Sequence, residues 1–433
     1  MRKIKLLLWS LALAGSTIPA QAQAIRKSFR EMGPAERTDY NDALQQFYNG
    51  GARTSTFAPP TSSAFISDYP IMHWEAGNAY NGDVHSIHMS LYFLPFHRTF
   101  LLDWENRLRS FSNTVTGQSY NYLAAPYWDW TEDAGSSTAS ITSSSLPSFW
   151  AYSFIPAANF STWHFNYVSG LYFPGTPRSV TFSRPTTFGS PAVINSVAGP
   201  TAVNNVLSNS AFYNYGSMSG GFSASLEHGP HDNIHGYIGG TMGAFYSPLD
   251  PVFWMHHGMV DKVWDDWEEA HTTTYGSIDL MNLPFTTTWM GMPSTFFPAN
   301  LPVYTTEACA TKVDDRYLQF KGNMYDVWYA YKGTVLLNGN KGTTFAVTSG
   351  ATKTYRYTVY NTGTSQYDQG EMYVGDVRRS GTSVVTDTKG GFKVNNGGTC
   401  HFRAAKVIDF KPGFSADAGS TVTAKIINTP NGF

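Results

Sequence analysis

Cysteine is almost absent from the 433 residues: Cys309 and Cys400 are the only two. That excludes a disulfide-stapled miniature scaffold, a cysteine-ligated zinc module and an iron–sulfur protein. Charge is scarce as well, at 14% Asp, Glu, Lys and Arg with a net of -2, where about a quarter is usual. No basic surplus is left to draw in nucleic acid or an anionic lipid surface, so neither is an expected partner. Long apolar runs are missing too, apart from residues 6–15, which are too few to cross a membrane. That run follows Arg2, Lys3 and Lys5 and precedes Ala20-Gln21-Ala22, the layout of an export signal. Residues 1–22 are expected to be cut away, after Ala22 or Ala24, placing the remainder in a secreted or periplasmic setting. Two thiols in such an oxidising compartment can pair, so a disulfide between Cys309 and Cys400 is expected, contributing about 4 kcal/mol by restraining the unfolded chain.

Aromatic residues are plentiful, at 15%, and the chain is longer than one typical core, which points to about two units. Residues 25–331 alternate helical apolar spacing with polar loops. Helices are expected over 34–48, 95–111, 231–239 and 251–270, where apolar positions recur every three or four residues. The stretches 134–168 and 173–215, rich in Ser, Thr, Pro and Asn, read as excursions around that core. From 332 to 433 the pattern turns to short alternating runs punctuated by glycine, such as 354–360 and 420–426, which is strand periodicity. A faint repeat runs through it: Gly391-Phe392, Gly397 and Thr399 recur 22 residues on as Gly413-Phe414, Gly419 and Thr421. The expected architecture is therefore a mainly α unit over 25–331 followed by an all-β sandwich or roll over 332–433.

Most of the 12 histidines gather in two segments, one from His73 to His97 and one from His228 to His257. His231 and His235 are four apart, so on a helix they share a face and can converge on one ion. His257, in a helical run opened by Asp250-Pro251, is the best-placed third ligand. His73, His88 and His97 form a matching trio. Two trios of imidazole with no carboxylate favour copper over oxygen-seeking metals. Zinc remains open from the ligands alone, although the helical zinc-protease pattern is missing, since Asp232-Asn233 follows His231. Glutamates at the spacing of a di-iron bundle are also missing.

These segments resemble the two copper-binding regions of the tyrosinase family, which includes catechol oxidases and haemocyanins. Phe93-Leu94-Pro95-Phe96-His97-Arg98 is similar to the family's F-L-P-W-H-R run, with Phe96 in place of tryptophan. His231 and His235 match its H-x-x-x-H pair, Gly239-Gly240-Thr241-Met242 its G-G-x-M, and residues 250–261 its closing signature. Tyr127-Trp128-Asp129-Trp130 resembles the motif between the regions. The resemblance covers most of 25–331. It implies a four-helix bundle holding two copper ions, dioxygen and a small phenol or catechol as partners, ortho-hydroxylation of monophenols, and oxidation of o-diphenols to o-quinones. It also assigns the ligand to His257 rather than His256, leaving His85, His228 and His256 as supporting or packing residues. A narrower catechol or o-aminophenol oxidase and a dioxygen carrier are the alternatives.

The same resemblance singles out three further residues. Glu227 stands where relatives carry a glutamate that holds a water, and Asp232 where many phenol-hydroxylating members have asparagine. Asp232 is either a base or an acceptor that orients His231. Phe245 is similar to a phenylalanine that overhangs one copper in a plant catechol oxidase. Arg98 and Asp261 are candidates to tie two helices together, with Glu105 an alternative partner for the arginine. One departure stands out. No cysteine precedes Cys309, so the cysteine–histidine thioether of many relatives cannot form in the first region. The β unit is read as a stabiliser, an attachment module, or a lid over the metals.

Overall fold

The computed structural model describes residues 25–49, 69–70, 73, 88–89, 93–113, 115–120, 122–134, 164–167, 178–183, 185, 191–212, 220–271, 328–331, 333–338, 344–361, 363–380, 383–386 and 390–427. The segment expected to be an export signal, His85 and Cys309 lie outside them.

Helix α1 (Pro34–Asn49) opens on a proline whose missing N–H is no loss in a first turn, and it buries Tyr40, Ala43, Leu44 and Phe47 along one face. Helix α2 (Phe93–Arg109) starts ahead of Pro95, so His97 falls in its second turn rather than at its opening. Helix α3 (Asp232–Ile238) continues a wide turn, Glu227–His231, that bends at Gly229 and Pro230. Helix α4 (Pro251–Ala270) is capped by Asp250, whose side chain accepts from the Val252 N–H at 2.9 Å, a cap worth about 1 kcal/mol. α2 and α4 pack through stacked Trp104 and Trp254, with centroids 4.6 Å apart. Tyr69 meets the same tryptophan edge-on. This aromatic layer is the floor on which the histidines stand.

Reading 173–215 as a polar excursion requires correction, because it contains helices Pro191–Ala198 and Pro200–Leu207. Ile194, Ala198, Val203 and Val206 are buried at helical spacing while Ser and Asn cover the outside. Gly199 joins the two helices so closely that a Cβ there would lie 2.4 Å from the Asn195 carbonyl oxygen.

The β unit is a coil of stacked parallel rungs. Strands β1 (Ile25–Arg26), β2 (Trp328–Tyr331), β3 (Thr334–Leu337), β4 (Phe345–Val347), β5 (Thr352–Tyr357), β6 (Glu371–Val374), β7 (Phe392–Val394), β8 (Thr399–Ala404), β9 (Val407–Phe410), β10 (Phe414–Ala416) and β11 (Thr421–Ile426) build three sheets, ordered β1-β2-β3-β6-β9, β10-β7-β4 and β11-β8-β5. The chain passes through β3, β4 and β5, then β6, β7 and β8, then β9, β10 and β11, each rung in parallel register with the one before. Phe392 pairs with Phe414 and Thr399 with Thr421. The faint repeat in the sequence is thus one turn of the coil, not a strand facing its twin across a sandwich. Phe345, Phe392 and Phe414 line its interior, with successive centroids 4.9 and 6.3 Å apart.

Cys309, the expected disulfide partner of Cys400, lies outside the described residues. Cys400 points inward from the middle rung, fully buried, as a free thiol. Burial also raises its pKa well above the ordinary thiol value, keeping it protonated.

Helical part and coil are stitched together. β1 pairs in parallel with β2, which then turns back antiparallel onto β3. Alternation along β2 sends Tyr329 to the helical core and Ala330 to the coil core, as the two faces of a strand must. Lys27 donates to the Thr358 carbonyl at 3.0 Å, and Glu31 accepts from the Gly333 N–H at 2.7 Å and the Tyr357 hydroxyl at 3.0 Å.

Candidate metal centre

Two clusters of imidazole meet above the aromatic floor. His73, His88 and His97 form one, and His231, His235, His256 and His257 the other, with one nitrogen per ring lying within 4.8 Å of the rest of its cluster. The clusters adjoin: His97 and His257 are stacked 4.3 Å apart at 10°. All six sequence-predicted ligands are therefore together. α2 supplies His97, the wide turn and α3 supply His231 and His235, and α4 supplies His257. Phe253 lies 4.1 Å from the His257 ring and Phe93 4.6 Å from the His231 ring, sealing the floor with apolar surface.

The tautomers are set by what holds each ring. Nδ1 of His73 donates to the Phe245 carbonyl at 2.6 Å, that of His97 to the Phe93 carbonyl at 2.7 Å, and that of His235 to the Met242 carbonyl at 2.6 Å. Carbonyls only accept, so these nitrogens carry the protons and the Nε2 lone pairs face the cavity. Burial keeps the rings neutral: it takes His73 down to about 3 and holds His88, His97, His235 and His257 well below the ordinary value. Nε2 of His73 stands 3.2 Å from Nε2 of His97, a pair with no proton between them. The His235 and His257 Nε2 atoms are 3.4 Å apart. Ligands about 2.0 Å from a tetrahedral ion sit about 3.3 Å from one another, so a cation fits between His73 and His97, where hydrogen bonding cannot. The Nε2 of His231 is buried and without a hydrogen-bond partner as well.

Around the rings stand the residues expected to tune them. Asp232 accepts from Nδ1 of His231 at 2.9 Å through one oxygen and faces Nδ1 of the half-exposed His228 at 3.2 Å through the other. Burial disfavours its charge, but those imidazole contacts outweigh that and hold the carboxyl below its usual range. Glu227 is fully buried. One of its oxygens accepts from the Met89 N–H at 2.7 Å, fixing the loop beside His88, and the other has no partner. Burial, with Asp232 adding to it, pushes its pKa well above the carboxylate range. Phe245, half-buried, lies 5.4 Å from His88 and 6.5 Å from His73.

An ion network clamps the helices beneath. Arg98 pairs with Asp261, as the sequence suggests, reaches Glu268 at 3.2 Å, and lies 3.5 Å over the Trp264 ring. Glu105 does not take Arg98. It binds Arg26 in two-pronged fashion at 2.7 and 2.6 Å, and Arg26 also reaches Asp261 at 2.7 Å and Tyr329 at 2.5 Å. Sequence reasoning missed Arg26 and Tyr329, whose partners lie up to 303 positions away. It also missed the place of His256 in the second cluster. His271 and His401 are engaged locally, with the Trp267 carbonyl and the Thr423 hydroxyl.

Residues 62–270 match the family described as tyrosinase, common central domain of tyrosinase. The chain is 33% identical over 202 residues to a tyrosinase of Streptomyces lincolnensis, covering 43% of this chain and 66% of that one. It is 31% identical over 216 residues to a tyrosinase of Streptomyces galbus, covering 45% and 70%. Against a tyrosinase of Streptomyces antibioticus the identity is 29% over 272 residues, covering 58% and 85%.

Proposed function

Because the chain belongs to the tyrosinase family, whose cofactor is a pair of copper ions, we propose that it is a copper-dependent oxidase of small phenols that hydroxylates monophenols beside the hydroxyl and oxidises o-diphenols to o-quinones. The observation that supports this most is the set of neutral, inward-facing Nε2 atoms, with His73 and His97 at 3.2 Å and no proton to share. His73, His88 and His97 would hold one ion and His231, His235 and His257 the other. Bound there, copper supplies the binding of dioxygen and the electron transfer.

The protein's own residues do the rest. Phe93 and Phe253 keep water from beneath the rings. Phe245 presents its ring over His88 and His73, where an aromatic substrate can be oriented face to face or edge to face. The free oxygen of Glu227 is assigned the substrate proton. A buried carboxylate of raised pKa is a stronger base than an exposed one, and a phenolic proton, with a pKa of about 10, needs one. Asp232 is assigned the role of orienting His231, since both its oxygens are engaged by imidazoles. That engagement also supports a second reading, a catechol or o-aminophenol oxidase that does not hydroxylate, because both Asp232 oxygens are held by imidazoles instead of being free to act as a base.

We place the protein outside the cytoplasm on its N-terminal pattern; among the described residues no helix is long and apolar enough to cross a membrane. The coil is assigned a bracing role along Lys27, Glu31 and Tyr127. A covering role over the pocket would show as faster turnover of bulky phenols once the coil is removed. The test of the main reading supplies copper-loaded protein with tyrosine or a matching catechol separately and follows oxygen uptake and quinone absorbance. Uptake with both is expected, uptake with catechol alone would select the second reading, and reversible oxygen binding with neither substrate consumed would make it a carrier.

A further inference from the structure

Among the described residues the two clusters are unequal, three imidazoles against four. The extra ring is His256. It is fully buried, and neither of its nitrogens has a hydrogen-bond partner. Its centroid lies 4.6 Å from that of His235, 5.1 Å from that of His257, and 5.2 Å from that of His231, on which it stacks at 20°. Trp130 closes another side at 5.1 Å. A buried polar atom left without a partner costs about 1–3 kcal/mol, and here an N–H and a lone pair of one ring both go unmet. Packing alone is better served by an aromatic hydrocarbon of the same size. The lone pair instead lies within reach of the cavity shared by His231, His235 and His257.

We propose that His256 is a fourth ligand, which closes the second cluster around a single ion when the first cluster holds none. Three imidazoles leave a metal open to an outside molecule, whereas four complete a tetrahedron suited to zinc or to copper in its reduced state. The closed arrangement retains the ion and denies it to dioxygen and phenols. Withdrawal of His256 restores the three-imidazole arrangement once both clusters are filled. The second cluster is therefore the one that fills first. This rests on reading the clusters as metal sites, but not on the reaction they carry out.

The test uses metal-free full-length protein and cobalt(II) alone as the probe. One equivalent is expected to give the intense visible bands of a four-coordinate ion and four shifted imidazole N–H proton resonances. His256→Gln and His256→Phe, the second preserving the contact with Trp130, are expected to weaken binding of the first equivalent about tenfold or more, to fade those bands, and to leave the second equivalent unaffected. Three shifted N–H resonances in the unaltered protein would overturn the proposal, and so would wild-type first-equivalent affinity and spectrum in both variants. The resonance count needs no variant, so it decides the matter even where a substitution prevents folding. Failure of the unaltered protein to bind cobalt at all would remove the metal reading of both clusters, a different result from normal binding through three rings.

Discussion

At the residue scale the centre is governed by which atom holds each Nδ1 proton. His73, His97 and His235 are held by backbone carbonyls, which substitution cannot remove, but His231 is held by a side chain. Asp232→Ala is therefore expected to lower copper affinity by about 10- to 100-fold, read by competition with a chelator, while Asp232→Asn, which keeps an accepting oxygen, recovers most of it. Glu227 carries a pKa raised by burial. Its base form appears only as pH climbs through that raised value, so kcat/KM for monophenols should rise with pH there, and Glu227→Gln should lose about 100-fold together with that limb of the profile. The buried rings titrate the other way. Their folded pKa values are depressed, to about 3 for His73, so the stability they confer is complete above the unfolded value of about 6.5 and is lost as pH falls toward 3, by up to about 1.4 kcal/mol per pH unit for each ring. Metal-free protein should thus lose Tm steeply between pH 7 and 5. His231 and His235 are legible in the sequence because their spacing puts them on one helix face, and His257 through the resemblance of residues 250–261 to the family's closing signature. His256 is not, since neighbours on a helix point about 100° apart and nothing local shows that both rings reach one cavity.

At the element scale, proline and cap signals place the starts of α1 and α4, because a helix start is a local event, while α2 begins two residues ahead of its proline. The helices at 191–207 escape notice because their apolar face is narrow and their outer face reads as loop. The clamp between α2 and α4 was half legible: Arg98 and Asp261 follow directly from the histidine motifs, while Arg26 arrives from a strand with no local signature. Asp261 is shared by two buried guanidinium groups and the Tyr329 hydroxyl. Asp261→Ala leaves both arginines without that partner and is expected to cost about 3–5 kcal/mol, read as a fall in the urea midpoint with unchanged slope.

At the scale of the whole molecule, strand periodicity announces a β unit, but the parallel stacking does not follow from alternation, which is the same for sandwiches and coils. Only the repeat through Phe392 and Phe414 encodes it. Deleting residues 332–433 strips Lys27 and Glu31 of their partners Thr358, Gly333 and Tyr357. The shortened protein is expected to bind copper yet to unfold at lower temperature, by calorimetry, with Glu31→Gln in the full chain giving a smaller shift of the same sign.

Strand β1 is joined to Trp328 and Tyr329, and through Arg26 to both helices of the clamp. A ribosome makes that strand some 303 residues before its mate, so during synthesis the clamp waits, incomplete, for Tyr329. Maturation therefore has a built-in order: the scaffold beneath the imidazoles tightens only after Tyr329 has been delivered, and a metal acquired earlier would meet an unfinished cradle.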